Sequence, residues 1–114
     1  IYLDGLAGVG DLRFPVDSPE DEVVYHQMTI ATGRRDALAA HLKERGVGSS
    51  VHYPSPLHRQ PAMSARLPVP PSLPVAERAA TEVLCLPMFA ELELAEAAVA
   101  VAAVREYFGA GTGS

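Results

Sequence analysis

The stretch HYPSPLHRQP, from His52 to Pro61, divides the sequence into two parts, each of which alternates between helix-like and strand-like patterns. It opens a region, residues 54–74, that holds seven of the chain's ten prolines. Because proline has no backbone N–H, regular structure in this region can only be short. A loop of this length is usually functional or disordered. The predicted order of elements is β-α-β, proline-rich loop, α-β-α.

The part before this loop predicts two strands joined by a helix. Val23 to Ala31 is rich in β-branched and aromatic residues and predicts a strand. Thr32 can serve as an N-cap and Gly46 lies just past the last turn, so together they frame a helix over residues 34–45. A second strand is predicted from Val47 to Tyr53.

The part after the loop predicts a helix over 75–84, a short apolar strand from Leu84 to Met88 and a last helix over 93–108. We therefore expect an α/β fold of the α+β kind, in which a small three-stranded sheet is flanked by helices.

The ends of the chain read differently from its middle. Residues 1–22 predict the end of a connecting helix followed by a loop, and the sequence opens as if the start of that helix were missing. Gly109 to Ser114 is expected to be a flexible tail. The folded domain is thus expected over 23–108, within a longer protein.

Composition excludes several classes of protein. With 48% hydrophobic and 20% charged residues, 114 residues suit one folded domain and not a disordered chain. The net charge is −5 and Arg34-Arg35 is the only adjacent basic pair, so neither nucleic acid nor a membrane surface is expected as a partner. The most apolar stretch, from Leu92 to Phe108, is interrupted by four charged residues and is too short to span a bilayer.

Cys85 is the only cysteine, so no internal disulfide can form, and the sequence shows no secretory leader. Both points favour the cytoplasm. Cys85 lies between Leu84 and Leu86 in an apolar run, which is more typical of a buried small hydrophobic residue than of a nucleophile.

Three other reactive side chains are expected to be structural or solvated. His26 lies in the first predicted strand and His41 in the middle of a predicted helix, without partners nearby in sequence. Lys43, the only lysine, falls on the solvated side of that helix, so it is a poor candidate for a Schiff base, which needs a shielded amine.

The candidate site is at the start of the proline-rich loop. His52 and His58 bracket the turn that contains Tyr53, which places two imidazoles and a phenol on a stiffened loop at the end of a strand. Prolines reduce the entropy that such a loop loses on ordering and can pre-position its side chains toward a ligand. The alternative is that these residues only close the sheet edge. A metal site is disfavoured, because no Cys or carboxylate lies at zinc spacing from either histidine.

Several segments, in order along the chain, resemble the DegT/DnrJ/StrS-type aminotransferases, which make amino sugars on nucleotide carriers. These segments are Tyr25-His26-Gln27, Arg35-Asp36-Ala37-Leu38, Gly46-Val47-Gly48, the stretch from His52 to Pro61, Pro74-Val75-Ala76-Glu77, and Val83-Leu84-Cys85-Leu86-Pro87-Met88. The sequence departs from the family pattern at Met28 and Met63, where an aromatic residue is usual, and at Cys85, where serine is common.

The resemblance implies the C-terminal small domain of a pyridoxal-phosphate-dependent enzyme that transfers an amino group, typically from glutamate, to a keto-sugar nucleotide. In that family the large domain supplies the cofactor lysine, and the complete enzyme is a homodimer. By resemblance, His52 and Tyr53 lie near the substrate site, with His58 as a further candidate, and the chain alone is inactive. The alternatives left open are a stand-alone, non-catalytic α/β binding module and a regulatory relative that binds an intact aminotransferase.

Overall fold

The computed structural model describes residues 1–16, 18–66 and 72–111. It contains five α-helices, a two-stranded sheet and one 3₁₀ turn over these residues. In chain order the elements are α1 (Tyr2–Leu6), β1 (Met28–Ala31), α2 (Arg35–Glu44), the 3₁₀ turn (Leu57–Arg59), α3 (Pro61–Ser64), α4 (Pro74–Glu82), β2 (Val83–Leu86) and α5 (Leu94–Gly111).

The sheet confirms the α/β class but has two strands instead of the three that were predicted. β1 and β2 pair antiparallel, with Met28 opposite Leu86 and Ala31 opposite Val83. The predicted start of β1 at Val23 is wrong by five residues. Met28 already faces the last residue of β2, and the backbone of Tyr25 has a positive φ of 49° that extended strands do not adopt.

The strand predicted from Val47 to Tyr53 is reduced to one bridge. Ser50 and Cys85 exchange both backbone hydrogen bonds, with N–O distances of 3.2 and 2.7 Å. On the other side of the sheet Arg13 makes a similar bridge to Ala31. The two-stranded sheet is therefore extended at each edge by one bridged residue, Arg13 beside β1 and Ser50 beside β2.

Helix α2 begins and ends close to the predicted positions. Thr32 precedes Arg34, which occupies the N-cap position, but the Thr32 hydroxyl still accepts a hydrogen bond from the Arg34 N–H at 3.1 Å. The same hydroxyl donates to the carboxylate of Asp11 at 2.5 Å, and the pKa of Asp11 is lowered chiefly by this bond. Gly46 ends the helix with a φ of 75°, a conformation that favours glycine.

Arg35 joins the start of α2 to the junction of α4 and β2. The residue is only 9% exposed, and its Nη1 donates hydrogen bonds to the carbonyl oxygens of Ala80 and Val83, both at 3.1 Å. Its Nε donates to the carboxylate of Asp36 at 2.6 Å. A buried guanidinium thus holds two elements that are distant in sequence.

The core lies where α5 packs against α1 and α2. Leu6, Leu38, Leu42 and Val104 are fully buried within it. Small residues on α5 allow the neighbouring helices to approach closely, and these are Ala97, Ala100 and Ala103. The apolar face of α5 therefore organises the domain.

The remaining elements differ only in their bounds from the predictions of 75–84, 84–88 and 93–108. The short structures in the proline-rich region agree with the prediction, as far as the described residues go. α5 runs on to Gly111, so part of the expected tail is helical, and 112–114 lie outside the described residues. Over the described part of the chain, no helix is long and apolar enough to cross a membrane.

Candidate functional site

A cleft of about 750 Å³ opens between the end of β2, the start of α5 and the segment that follows α2. Apolar side chains that include Met88, Phe89 and Leu92 form much of its surface. Polar groups also line it, among them Ser50, His52 and Glu96. The cleft combines an apolar wall with hydroxyl, imidazole and carboxylate groups that can orient a ligand.

His52 is held in the cleft by the sheet. Its Nε2 lies 3.1 Å from the Oγ of Ser50, and Ser50 is itself fixed by the two backbone bonds to Cys85. The Nδ1 of His52 is buried and has no hydrogen-bond partner among the described residues. One imidazole nitrogen is thus anchored to the protein, and the other has no partner in the part of the chain that the structure describes.

Tyr53 stands beside His52 and reaches into solvent. The two rings meet edge to face with centroids 5.0 Å apart, and Tyr53 is 70% exposed. Tyr53 is not among the residues that line the cleft, but an exposed phenol beside an anchored imidazole can donate a hydrogen bond to a ligand or accept one from it. The structure therefore brings two of the three predicted site residues together.

His58 is placed apart from the cleft lining. It is only 6% exposed, and its Nε2 lies 3.0 Å from the Oε1 of Glu77 on α4. Arg59 donates to the same carboxylate oxygen from Nη2 at 2.7 Å. These two contacts, that of His58 first, lower the pKa of Glu77 to about 2. Because an ionised carboxylate only accepts hydrogen bonds, the Nε2 of His58 carries the proton.

Ser50 and Glu77 are the site residues that sequence reasoning missed. Ser50 precedes His52 by two residues, and side chains at that spacing share a face of an extended chain, so the pattern held a signal for it. Glu77 is 19 residues from His58, and no spacing rule joins a loop residue to a helix residue at that distance.

Cys85 is buried, as predicted, with 4% of its surface exposed, and its Sγ lies 3.4 Å from the Oγ1 of Thr29. His41 packs its ring against Tyr107 with centroids 5.5 Å apart, in agreement with a structural role. His26 instead lines the cleft with an exposed side chain and does not lie in a strand.

The described residues do not form a pyridoxal phosphate site by themselves. Lys43 is the only lysine in the chain, and it is exposed on α2 and not among the cleft-lining residues. None of the described lining residues is Lys or Arg. In the described ranges, no three His, Cys, Asp or Glu side chains are grouped as metal ligands.

Comparison with known proteins identifies the family that the chain resembles. The model of the DegT/DnrJ/EryC1/StrS aminotransferase family matches residues 1–105. A dTDP-3-amino-3,4,6-trideoxy-alpha-D-glucose transaminase of Streptomyces venezuelae is 43% identical over 106 residues, which are 93% of this chain and 28% of that protein. A pleiotropic regulatory protein of Geobacillus stearothermophilus is 44% identical over 85 residues, 75% of this chain and 23% of that protein.

A solved structure is similar to this chain in both fold and sequence. The crystal structure of S. venezuelae DesV in complex with a ketimine intermediate superposes with a TM-score of 0.87 at 43% identity, covering 93% of this chain and 29% of that one. The chain thus spans between a fifth and a third of the length of the proteins it matches.

Proposed function

This chain belongs to the DegT/DnrJ/EryC1/StrS aminotransferase family, and we propose that it forms the C-terminal small domain of a pyridoxal-phosphate-dependent sugar aminotransferase. The complete enzyme moves an amino group, from glutamate, to a keto-sugar nucleotide. The domain extends over residues 23–108, and the connecting helix before it packs Leu6 into the same core. The relatives named above, which include a nucleotide-sugar transaminase, support this assignment.

The contact between His52, which lines the cleft, and the exposed ring of Tyr53 is the observation on which the site rests. His52 lines the cleft, where its imidazole is anchored through Ser50, and Tyr53 is exposed beside it. The apolar lining and the carboxylate of Glu96 suit an uncharged sugar ring better than a diphosphate. We assign these two residues to contacts with sugar hydroxyl groups.

His58 has a different place in this proposal. Its imidazole is occupied by Glu77, so it holds the loop that carries Tyr53 and does not contact the sugar. The chain also contributes no cofactor lysine, because Lys43 is exposed. We therefore place the cofactor and its chemistry in the remainder of the enzyme, which is a cytoplasmic homodimer.

Kinetics on the complete enzyme test the site. Changing His52 to Ala or Tyr53 to Phe is expected to lower kcat/KM for the keto-sugar nucleotide by about 10-fold or more, since each removes a polar contact to a buried ligand group. Tyr107→Phe is the matched control. It removes a hydroxyl group from a ring that packs between His41 and Phe108 and does not line the cleft. Unchanged kinetics in both site variants would remove the two residues from the site.

The 114-residue chain tests the division of labour. Mixed with pyridoxal phosphate, the purified chain should develop no lysine-linked absorbance and should not transaminate, whereas the complete enzyme should do both. Transamination by the chain alone would contradict the proposal.

A non-catalytic regulatory module is the second candidate. It is favoured by the exposed position of the only lysine and by the similarity to the pleiotropic regulatory protein of G. stearothermophilus. If the complete reading frame adds no lysine-bearing domain, and the chain co-purifies with an intact aminotransferase and alters its rate, this candidate replaces the first.

A further inference from the structure

The proline-rich loop that carries Tyr53 is held to helix α4 by an acidic side chain. Glu77 lies in the first turn of α4 and accepts hydrogen bonds from both His58 and Arg59 on its Oε1. Arg59 also donates from Nε to the same oxygen at 3.2 Å. Two neighbouring loop residues thus converge on one carboxylate.

The fastening is partly shielded from solvent. His58 is 6% exposed, whereas Arg59 and Glu77 expose 58% and 27% of their side chains. A buried imidazole that loses its acceptor cannot replace it with bulk water, so removal of the carboxylate leaves an unpaired group inside the protein. Breaking the hydrogen bond between His58 and Glu77 therefore costs free energy.

The short path from His58 back to Tyr53 is stiff. Only four residues separate the two, and two of them are Pro54 and Pro56, whose φ angles are fixed by their rings. The side chain of Gln60 donates to the carbonyl oxygen of Ser55 at 3.3 Å and closes the loop on itself. A displacement at position 58 is therefore transmitted to position 53 and not absorbed between them.

On this basis we propose that Glu77 is a positioning residue for the substrate site, acting through His58 and Arg59 on the loop that presents Tyr53. This inference rests on the proposed function, because it takes Tyr53 and His52 as substrate contacts. His52 has its own support from Ser50, so Glu77 acts on the Tyr53 side of the pair.

The test compares Glu77→Gln with Glu82→Gln. Both residues lie on α4 and both carboxylates are paired with arginine, but Glu82 pairs with Arg13 and Arg78 and forms no ion pair with the described loop residues. Both changes remove an ion pair, so a loss of stability alone would affect them alike. Glu77→Gln keeps an amide oxygen but removes the negative charge that strengthens the bonds from Arg59 and His58, so only this change should loosen the loop.

Two measurements compare Glu77→Gln with Glu82→Gln. In the 114-residue chain, hydrogen exchange of the backbone amides over 52–60 should become faster in Glu77→Gln and stay at the wild-type rate in Glu82→Gln. In the complete enzyme, Glu77→Gln should raise KM for the keto-sugar nucleotide roughly tenfold with a smaller change in kcat, since small misplacements of a positioning group can cost up to about 10²-fold. Glu82→Gln should keep the wild-type KM.

The outcomes separate the two proposals. If Tyr53→Phe raises KM but Glu77→Gln does not, or if exchange over 52–60 is unchanged, the positioning role of Glu77 is wrong and the site stands. If neither His52→Ala nor Tyr53→Phe changes the kinetics, the site itself fails and the role of Glu77 fails with it. Faster exchange together with a raised KM in Glu77→Gln alone supports the inference.

Discussion

Gly10 lies directly against the ring of Phe108, so that a Cβ atom at position 10 would overlap the Cδ1 of Phe108. Gly10 also has a φ of 53°, in the left-handed region that favours glycine. Phe108 is 3% exposed in the core at the end of α5 and cannot move aside freely. The loop after α1 therefore passes the core at the distance that only a glycine allows.

Gly10→Ala is expected to destabilise the domain more than Gly8→Ala does. Gly8 has a similar φ of 72°, but a Cβ atom added there would meet no heavy atom within 4 Å, so it isolates the backbone cost of about 1 kcal/mol. The steric conflict with Phe108 should add about 1–3 kcal/mol to the free energy lost by Gly10→Ala. Urea unfolding measures both variants, and equal losses would mean that Phe108 yields at no cost.

Arg35→Met is expected to lower the free energy of unfolding by about 2–4 kcal/mol, because it leaves the carbonyl oxygens of Ala80 and Val83 without their donor. Arg34→Met is the matched control. Arg34 is its exposed neighbour, and surface changes of this kind usually stay within about 0.5 kcal/mol. Similar losses in the two variants, followed by thermal or urea unfolding, would show that the buried guanidinium adds nothing specific.

Acid should weaken the contact at Glu77 in a defined range of pH. The pKa of this carboxyl falls from an ordinary value of 4.5 to about 2 in the folded state, so its stabilising contribution is complete above about 4.5 and is lost as the pH falls through about 2. Glu77→Gln should therefore flatten the decline in stability between these values. Urea midpoints at a series of pH values measure the slope for both proteins.

Some acid sensitivity should persist in Glu77→Gln. The pKa values of Asp11 and Glu82 are also lowered, by the hydroxyl of Thr32 and by Arg13 respectively, and both pairs remain in the variant. A variant curve that runs parallel to the wild-type curve over this range would contradict the contribution assigned to Glu77.

The thiol of Cys85 should react slowly with a disulfide reagent in the folded chain. It is 4% exposed, so reaction requires local opening of the sheet, and we expect the rate to be lower than in denaturant by roughly 100-fold or more. The double variant Ser49→Cys with Cys85→Ser moves the thiol to an exposed position in the cleft that His52 lines. This thiol should react quickly. Equal rates for the two folded proteins would contradict the burial of Cys85.

Helices were more predictable from the sequence than strands, and the reason is local. The bounds of α2 follow from Thr32, Gly46 and the residues between them, all within one segment. A strand needs a partner, and β2 ends before Pro87, which has no N–H to continue the pairing. The predicted strand from Val23 therefore had the composition of a strand throughout, but only Met28–Ala31 lie opposite β2.

The site shows the same limit. His52 and Tyr53 are predicted as site residues because they are adjacent and lie on a proline-stiffened loop, and their role stays a prediction. The contact of His58 with Glu77 could not be predicted from the sequence, because Glu77 approaches His58 only through the packing of the loop on α4. Sequence patterns located the loop but could not assign a separate role to each of its histidines.

The close packing of α1 on α5 also has a consequence for the order in which the domain can form. The carbonyl oxygen of Gly5 accepts a hydrogen bond from Arg105, 100 residues further along the chain, and the buried face of α1 includes Tyr2 and Leu6. During synthesis on the ribosome these residues emerge long before α5 exists. The apolar face of α1 must therefore stay uncovered, or be shielded by a chaperone, until nearly the whole domain has been translated.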